Sequence, residues 1–224
     1  QAIINEAHER GVVVPNRKQR SPNSDDTQAA GAYVAYPKKG MSEWIGSVDI
    51  NSLYPSAIRA MNMGPETVLG QLRPIMTDRY IKDKTNSGSS FAAAWEGLFG
   101  SLEYTAVMEQ SPGTEITIDW QNGESDVYSA SEIWSIVFDS NRPWILTANG
   151  TILSYEKKGI IPGLLERWYA ERKEMQAKKK DAKDKKEEAF WDKRQLVKKI
   201  NLNSLYGAIL NPGCRFFDKR IGQS

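Results

Sequence analysis

Asp49 stands at the end of an apolar run, Trp44-Ile45-Gly46-Ser47-Val48, and a short turn separates it from Pro55. A carboxylate at the end of a buried strand is held by a rigid sheet and can take a divalent metal ion. Mg²⁺ binds one or two carboxylates and fills its remaining positions with water and phosphate oxygens. The turn after Asp49 would present backbone N–H groups to a triphosphate, the arrangement of a nest or a helix N-terminus. By residue type alone the reading stays open, because an aspartate at a strand edge is more often a cap or a turn residue.

A second group is cationic. Lys199 and Asn203 are four residues apart and share one helical face, while Arg172 lies in Glu171-Arg172-Lys173-Glu174 on a facing helix. Cations on two facing helices can close on a polyphosphate, arginine with a planar fork and lysine with a point charge. From Arg172 to Lys199 there are twelve Lys/Arg against six Asp/Glu, a local +6 in a chain of net charge +2, which leaves about −4 on the rest. Such asymmetry suits a phosphate-facing element, although the middle of the stretch, residues 178–188, reads as a solvated helix tip.

The elements that must carry these residues follow from pattern. Residues 1–14 read as the end of a helix running into a short strand, Gly11-Val12-Val13-Val14. Residues 15–30 are polar and read as a loop. Strands are expected at Ala32-Tyr33-Val34-Ala35-Tyr36 and over residues 44–50, and Pro55 sits where a helix over residues 56–61 can begin. Residues 89–108 have helical spacing. Glu115-Ile116-Thr117-Ile118-Asp119-Trp120 alternates before an Asn122-Gly123 turn, and Asn149-Gly150 joins Trp144-Ile145-Leu146 to Thr151-Ile152-Leu153-Ser154-Tyr155, so two hairpins are predicted. Ser129 and Glu132 have the spacing of a capping box. From Pro162 an amphipathic helix runs to about Asp181, and a second from about Phe190 to Tyr206 returns as its antiparallel partner. Sheet, hairpins and helices together give an α+β fold.

Composition sets the outer bounds. The chain has 224 residues, 40% hydrophobic and 26% charged, enough for one large domain or two smaller ones. No apolar run is long enough to cross a bilayer. Residues 1–10 lack the apolar core of a signal peptide. One cysteine, Cys214, and one histidine, His8, exclude a disulfide framework and a zinc knuckle and point to a reducing, intracellular setting. The absence of an initiator Met and the end at Ile221-Gly222-Gln223-Ser224 lead us to expect a piece of a longer protein.

Two motifs carry a family resemblance. Asp49-Ile50-Asn51-Ser52-Leu53-Tyr54-Pro55-Ser56 resembles motif A of family B DNA polymerases, Asp-x-x-Ser-Leu-Tyr-Pro-Ser. Lys199-Ile200-Asn201-Leu202-Asn203-Ser204-Leu205-Tyr206-Gly207 resembles motif B, Lys-x-x-x-Asn-Ser-x-Tyr-Gly, and the two occur in the family's order. Gly31-Ala32-Tyr33-Val34 is similar to the linker motif between exonuclease and polymerase domains. Asn62-Met63-Gly64-Pro65-Glu66-Thr67 is similar to the stretch after motif A in enzymes of T-even-type phages.

The resemblance implies a template-directed nucleotidyl transfer from dNTP to a primer 3′-OH, in phage DNA replication and in the host-cell cytoplasm. It implies Asp49 as the carboxylate shared by two catalytic Mg²⁺ ions and Ile50 as a carbonyl donor to one of them. Ser52 and Leu53 would give backbone N–H groups to the triphosphate. Tyr54 would lie under the deoxyribose and exclude a 2′-OH. Arg172, Lys199 and Asn203 would hold the triphosphate; a further cation one turn after Arg172 is replaced by Gln176. Gly31, Ala32, Tyr33, Tyr206 and Gly207 would face DNA. The expected division is an exonuclease-side region and linker over residues 1–30, palm over 31–158, a fingers hairpin over 159–211 and a return to palm over 212–224. Motif C, Tyr-Gly-Asp-Thr-Asp, is not in the sequence, so these residues alone are not expected to polymerise DNA. The partners implied are primer–template DNA, dNTP, the exonuclease, motif C palm and thumb regions, and a sliding clamp. A non-catalytic nucleic-acid-binding module built on the basic hairpin is the alternative; the pairing of Asp49 with Tyr54 argues against it.

Overall fold

A computed structural model of the chain describes residues 1–14, 16, 36–37, 39–73, 85–88, 112–113, 115–147 and 149–222. In chain order the elements that matter here are α1 (Ala2–Glu9), α2 (Leu53–Ala60), β1 (Val68–Leu72), β2 (Glu115–Trp120), β3 (Ser125–Ser129), α3 (Ala130–Trp134), β4 (Trp144–Leu146), β5 (Thr151–Ser154), α4 (Ile160–Lys180), α5 (Lys185–Ile209) and α6 (Lys219–Gly222). The mixture of helices and an antiparallel sheet agrees with the α+β expectation. The chain divides into two units, one of Gln1–Ser24, Ser52–Val68 and Leu153–Gly222, the other of Asp25–Asn51, Leu69–Ile152 and Gln223–Ser224.

The second unit is organised by the sheet, whose strand order is β3-β2-β1-β5-β4 among the described residues. Both predicted hairpin turns form. At Asn122-Gly123 the glycine takes φ 92, and the Trp120 N–H donates to the Glu124 carbonyl at 2.8 Å. At Asn149-Gly150 the turn is buried, and the Asn149 side-chain oxygen accepts from the Thr151 hydroxyl at 3.0 Å. Gly70 in β1 faces Trp120, and a Cβ there would lie 3.0 Å from both the Asp119 carbonyl and the Trp120 ring. That close approach accounts for a glycine inside a strand. The capping box is present: the Ser129 side chain accepts from the Glu132 N–H, and the Glu132 carboxylate accepts from the Ser129 N–H. Leu72, Ile118, Ile133, Val137 and Ile152 form the core of this unit; each such side chain contributes roughly 1.5–3 kcal/mol on burial.

The first unit is helical. Ile160, Ile161, Leu164 and Leu165 of α4 are buried, as are Leu202, Leu205 and Ile209 of α5, so the two antiparallel helices have an apolar base. Helix α4 runs close to the expected span, and α5 is longer than the pattern indicated, since it begins at Lys185, where Asp184 caps it by accepting the Glu187 N–H at 2.8 Å.

Two strand expectations are corrected. Gly11 at φ 67 ends α1 instead of opening a strand: its N–H donates to the His8 carbonyl and the Val12 N–H to the Ala7 carbonyl, the paired bonds of a Schellman stop. Residues 44–50 form no strand. Trp44 is at φ 60, outside the β region, and Trp44 and Val48 are 100% and 96% exposed. A strand needs a neighbour for its N–H and C=O groups, and no ladder forms on this segment among the described residues. All but Tyr36 of the strand expected at 32–36, the helix at 89–108 and nearly all of the 15–30 loop lie outside the described residues.

Candidate functional site

The motif A segment changes conformation at Ser52, which has φ 53 and ψ 54 and caps the N-terminus of α2. A left-handed conformation at a residue with a Cβ costs roughly 1–2 kcal/mol. The turn is held by the Ser56 N–H, which donates to the Ser52 carbonyl at 2.9 Å, and by burial of Pro55 and Ile58. The N–H groups of Leu53 and Tyr54 lie in the first turn of α2, where no intrahelical acceptor exists. Asp49 and Ile50 belong to the other unit and are exposed on irregular backbone. The rigid, buried strand expected to carry Asp49 is therefore not seen.

Tyr54 and Tyr206 meet. Their rings stack with centroids 4.2 Å apart and planes 12° from parallel. The Tyr206 hydroxyl donates to the Gly222 carbonyl at 2.9 Å. Burial, and then the neighbouring Tyr54, push the Tyr206 phenol above its ordinary pKa, so it remains a protonated donor through the neutral range.

On the hairpin, Arg172 is half-buried and its Nε–H donates to the Gln195 side-chain oxygen at 3.3 Å. Lys199 and Asn203 follow Gln195 at successive four-residue steps along α5 and are exposed, so Arg172 reaches the stripe that carries them. Lys198, one residue before Lys199, instead turns to α4 and pairs with Glu171. Gly207 is exposed, and a Cβ added there would meet nothing within 4 Å; packing among the described residues does not require a glycine. Gly31, Ala32 and Tyr33 lie outside the described residues.

The residues that position the base of the hairpin went unrecognised in the sequence. Asn62, buried and at φ 51, ends α2 as the Met63 N–H donates to the Ile58 carbonyl. Its side-chain amide donates to the Ser154 and Lys157 carbonyls at 2.8 and 2.9 Å, and its oxygen accepts the Gly159 N–H at 2.9 Å. The Glu66 carboxylate accepts the Ile160 N–H at the start of α4, a favourable place for a negative charge. The Thr67 hydroxyl donates to the Asn62 carbonyl at 2.7 Å. Arg10 bonds Glu6 and the Lys158 carbonyl, and Arg167 pairs with the same Glu6 at 2.8 Å. The available signal was an asparagine just past a helix, a common left-handed stop.

Among the described residues no group of three or more His, Cys, Asp or Glu could hold a metal ion. The Asp49 carboxylate and Ile50 carbonyl are hard oxygen donors of the kind Mg²⁺ takes, and they fit it only as part of a shell completed by phosphate, water and a further carboxylate. No helix among the described residues is long and apolar enough to cross a membrane.

A family model described as DNA polymerase family B matches residues 1–224. This chain belongs to DNA polymerase family B. The family B chain is 25% identical over 223 residues to DNA polymerase 2 of Aeropyrum pernix, covering 99% of this chain and 19% of the relative. It is 25% identical over 230 residues to the DNA-directed DNA polymerase of Escherichia phage RB69, covering 97% of this chain and 24% of the relative. The solved family B DNA polymerase of Pyrobaculum calidifontis is similar at 18% identity and a TM-score of 0.47, over 99% of this chain and 20% of that one. The chain thus spans about a fifth to a quarter of the length of these relatives.

Proposed function

We propose that this chain forms half of the nucleotide-addition site of a DNA-directed DNA polymerase. Family membership supports the reading, and the observation that carries it is the Tyr54–Tyr206 stack, in which a motif A side chain meets a motif B side chain. In this reading Tyr54 lies against the sugar of the incoming nucleotide and leaves no room for a 2′-OH. Arg172 and Lys199 hold the phosphates, the first as a planar donor and the second as a point charge, with Asn203 beside them and the Ser52 and Leu53 N–H groups at the helix entrance. Asp49 and the Ile50 carbonyl hold Mg²⁺, two ions in the complete site, which when bound offset charge on the attacking and leaving oxygens. The primer 3′-OH gives up its proton to water as its oxygen attacks the α-phosphorus, a P–O bond forms as the bond to the β-phosphate oxygen breaks, and pyrophosphate leaves with the electron pair. The chain's own contribution is positioning and charge neutralisation.

The open space at Gly207 suits approach of a nascent base pair, with Tyr206 beside it and Gly31, Ala32 and Tyr33 contacting DNA from the linker. In the same reading residues 31–158 belong to a palm and 159–211 to fingers. The missing carboxylate comes from a motif C outside these 224 residues, in a polymerase that also has exonuclease and thumb regions and works with a sliding clamp in the cytoplasm of a phage-infected cell. The archaeal and phage relatives are equally similar at 25%, so placement in the T-even-type phage branch rests on Asn62-Met63-Gly64-Pro65-Glu66-Thr67.

The test pairs this chain with a polypeptide supplying the motif C region and assays primer extension with dNTP and Mg²⁺. Extension should appear, Asp49→Ala should abolish it, and Tyr54→Ala should admit ribonucleotides. Extension that survives Asp49→Ala overturns the reading.

A further inference from the structure

A side chain that excludes one hydroxyl group must be held to a fraction of an ångström, since a displacement of about 1 Å can cost a hundredfold in a positioned reaction. Tyr54 is poorly placed to hold itself. It is the second residue of an eight-residue helix, it follows the left-handed Ser52, and it is 44% exposed. Among the described residues the ring's aromatic neighbour is the parallel face of Tyr206 at 4.2 Å.

Tyr206, by contrast, is fixed at both ends. Its backbone lies in α5 beside Leu202, Leu205 and Ile209, all buried. Its hydroxyl is tied to the Gly222 carbonyl at 2.9 Å. That carbonyl lies at the end of α6, where the Gly222 N–H donates to the Asp218 carbonyl at 3.2 Å; a Cβ on Gly222 would fall 2.0 Å from a Leu210 methyl group, so a larger residue there would have to push the Leu210 side chain aside. A continuous set of contacts therefore runs from Leu210 through Gly222 and Tyr206 to the exposed ring of Tyr54.

We propose that Tyr206 is a positioning residue for sugar selection, its ring pinned through the Gly222 carbonyl and setting the plane that Tyr54 presents to the sugar of an incoming nucleotide. The proposal rests on the polymerase reading above, and it assigns Tyr206 a task separate from contact with a base pair. A base-pair contact acts on deoxyribo- and ribonucleotides of the same base alike. A contact through Tyr54 acts on the ratio between them.

The experiment measures the kcat/KM ratio of dATP to ATP opposite template dT, using the chain completed by its motif C region. A second measurement takes the ratio of their equilibrium affinities on a primer ended with a dideoxynucleotide. Tyr206→Leu removes the stack and should lower both ratios by about two- to tenfold, the worth of an aromatic pair. Tyr206→Phe keeps the ring but frees it from Gly222 and should give a smaller fall. Gly222→Ala should mimic Tyr206→Phe. In a Tyr54→Ala background none of the three should lower the ratio further, because their effect passes through the missing ring. Unchanged ratios for Tyr206→Leu overturn the proposal, and so does an equal loss in the Tyr54→Ala background. If Tyr206→Leu fails to fold, Tyr206→Phe with its paired Tyr54→Ala background decides by the same criteria. Wild-type chain that extends no primer would sink the polymerase reading and this proposal with it, whereas extension with unmoved ratios sinks this proposal alone.

Discussion

The base and the outer part of the helical hairpin are made from the same two helices and are held together by different forces. At the base, Ile161, Leu164 and Leu165 of α4 and Leu202 of α5 are almost fully excluded from solvent, and the Asn62 amide fixes the chain just before α4. From residue 173 to residue 198 no residue is buried. There the helices are joined by polar contacts, Lys179 with Asp192 at 2.7 Å and Lys178 over the Trp191 ring at 4.9 Å, while Gln195 donates to Asp192 within α5 at 3.1 Å. Stability is concentrated at the base, and the outer part supplies charge. Arg172 and Lys199, the cations proposed to meet phosphate, lie at the boundary between the two regimes.

This contrast can be broken most severely at the base. Leu165→Ala should cost about 2–5 kcal/mol, read as a drop in denaturation midpoint. Next, Asn62→Ala should cost about 1–3 kcal/mol from the stranded Gly159 N–H and its two carbonyl acceptors, again by denaturant titration, with added strain at the left-handed position. Gly207→Ala should act in the opposite direction, stabilising the chain by about 0.5–1 kcal/mol, while weakening DNA binding in a filter or anisotropy assay if a base pair approaches there. The smallest effect belongs to the exposed ion pairs, which are worth little. Asp192→Asn should leave the global midpoint at neutral pH unmoved.

The outer region nevertheless has a pH signature. Hydrogen bonding to Lys179 and then to Gln195 holds the Asp192 carboxyl below its ordinary value, and Lys178 does the same for Glu174. A group with a depressed folded-state pKa stabilises above its unfolded value, and that contribution is lost as pH falls through the folded one. Amide protection over residues 176–195 should therefore decline below the ordinary carboxylate range. In Asp192→Asn that decline should be smaller.

Much of the fold was legible where the signal is local. The two Asn-Gly turns, the Ser129–Glu132 capping box and the pair of long helices all depend on residues a few positions apart. Strand β1 was missed because Gly70 interrupts its pattern, and the reason for that glycine is Trp120 on a neighbouring strand. Residues 44–50 failed in the reverse sense: an apolar run belongs to one segment, but a strand exists only when another segment accepts its hydrogen bonds. At the candidate site, residue types and helix register were readable, as with Lys199 and Asn203. Partnerships were not. The Arg172 bond to Gln195, the Tyr54 stack on Tyr206 and the role of Asn62 each join positions far apart in sequence, and no periodicity encodes them.

The Asn62 amide also has a mechanical meaning. It ties the end of α2, the helix that begins with Leu53 and Tyr54, to the backbone at the root of α4. Helix α4 has 21 residues, so it acts as a lever about 30 Å long. A tilt of about 2° at the root displaces the far end by about 1 Å over that length. With one side chain gripping both elements, the hairpin cannot swing at its root without either breaking three hydrogen bonds or dragging the tyrosine's helix along, so the two are geared together.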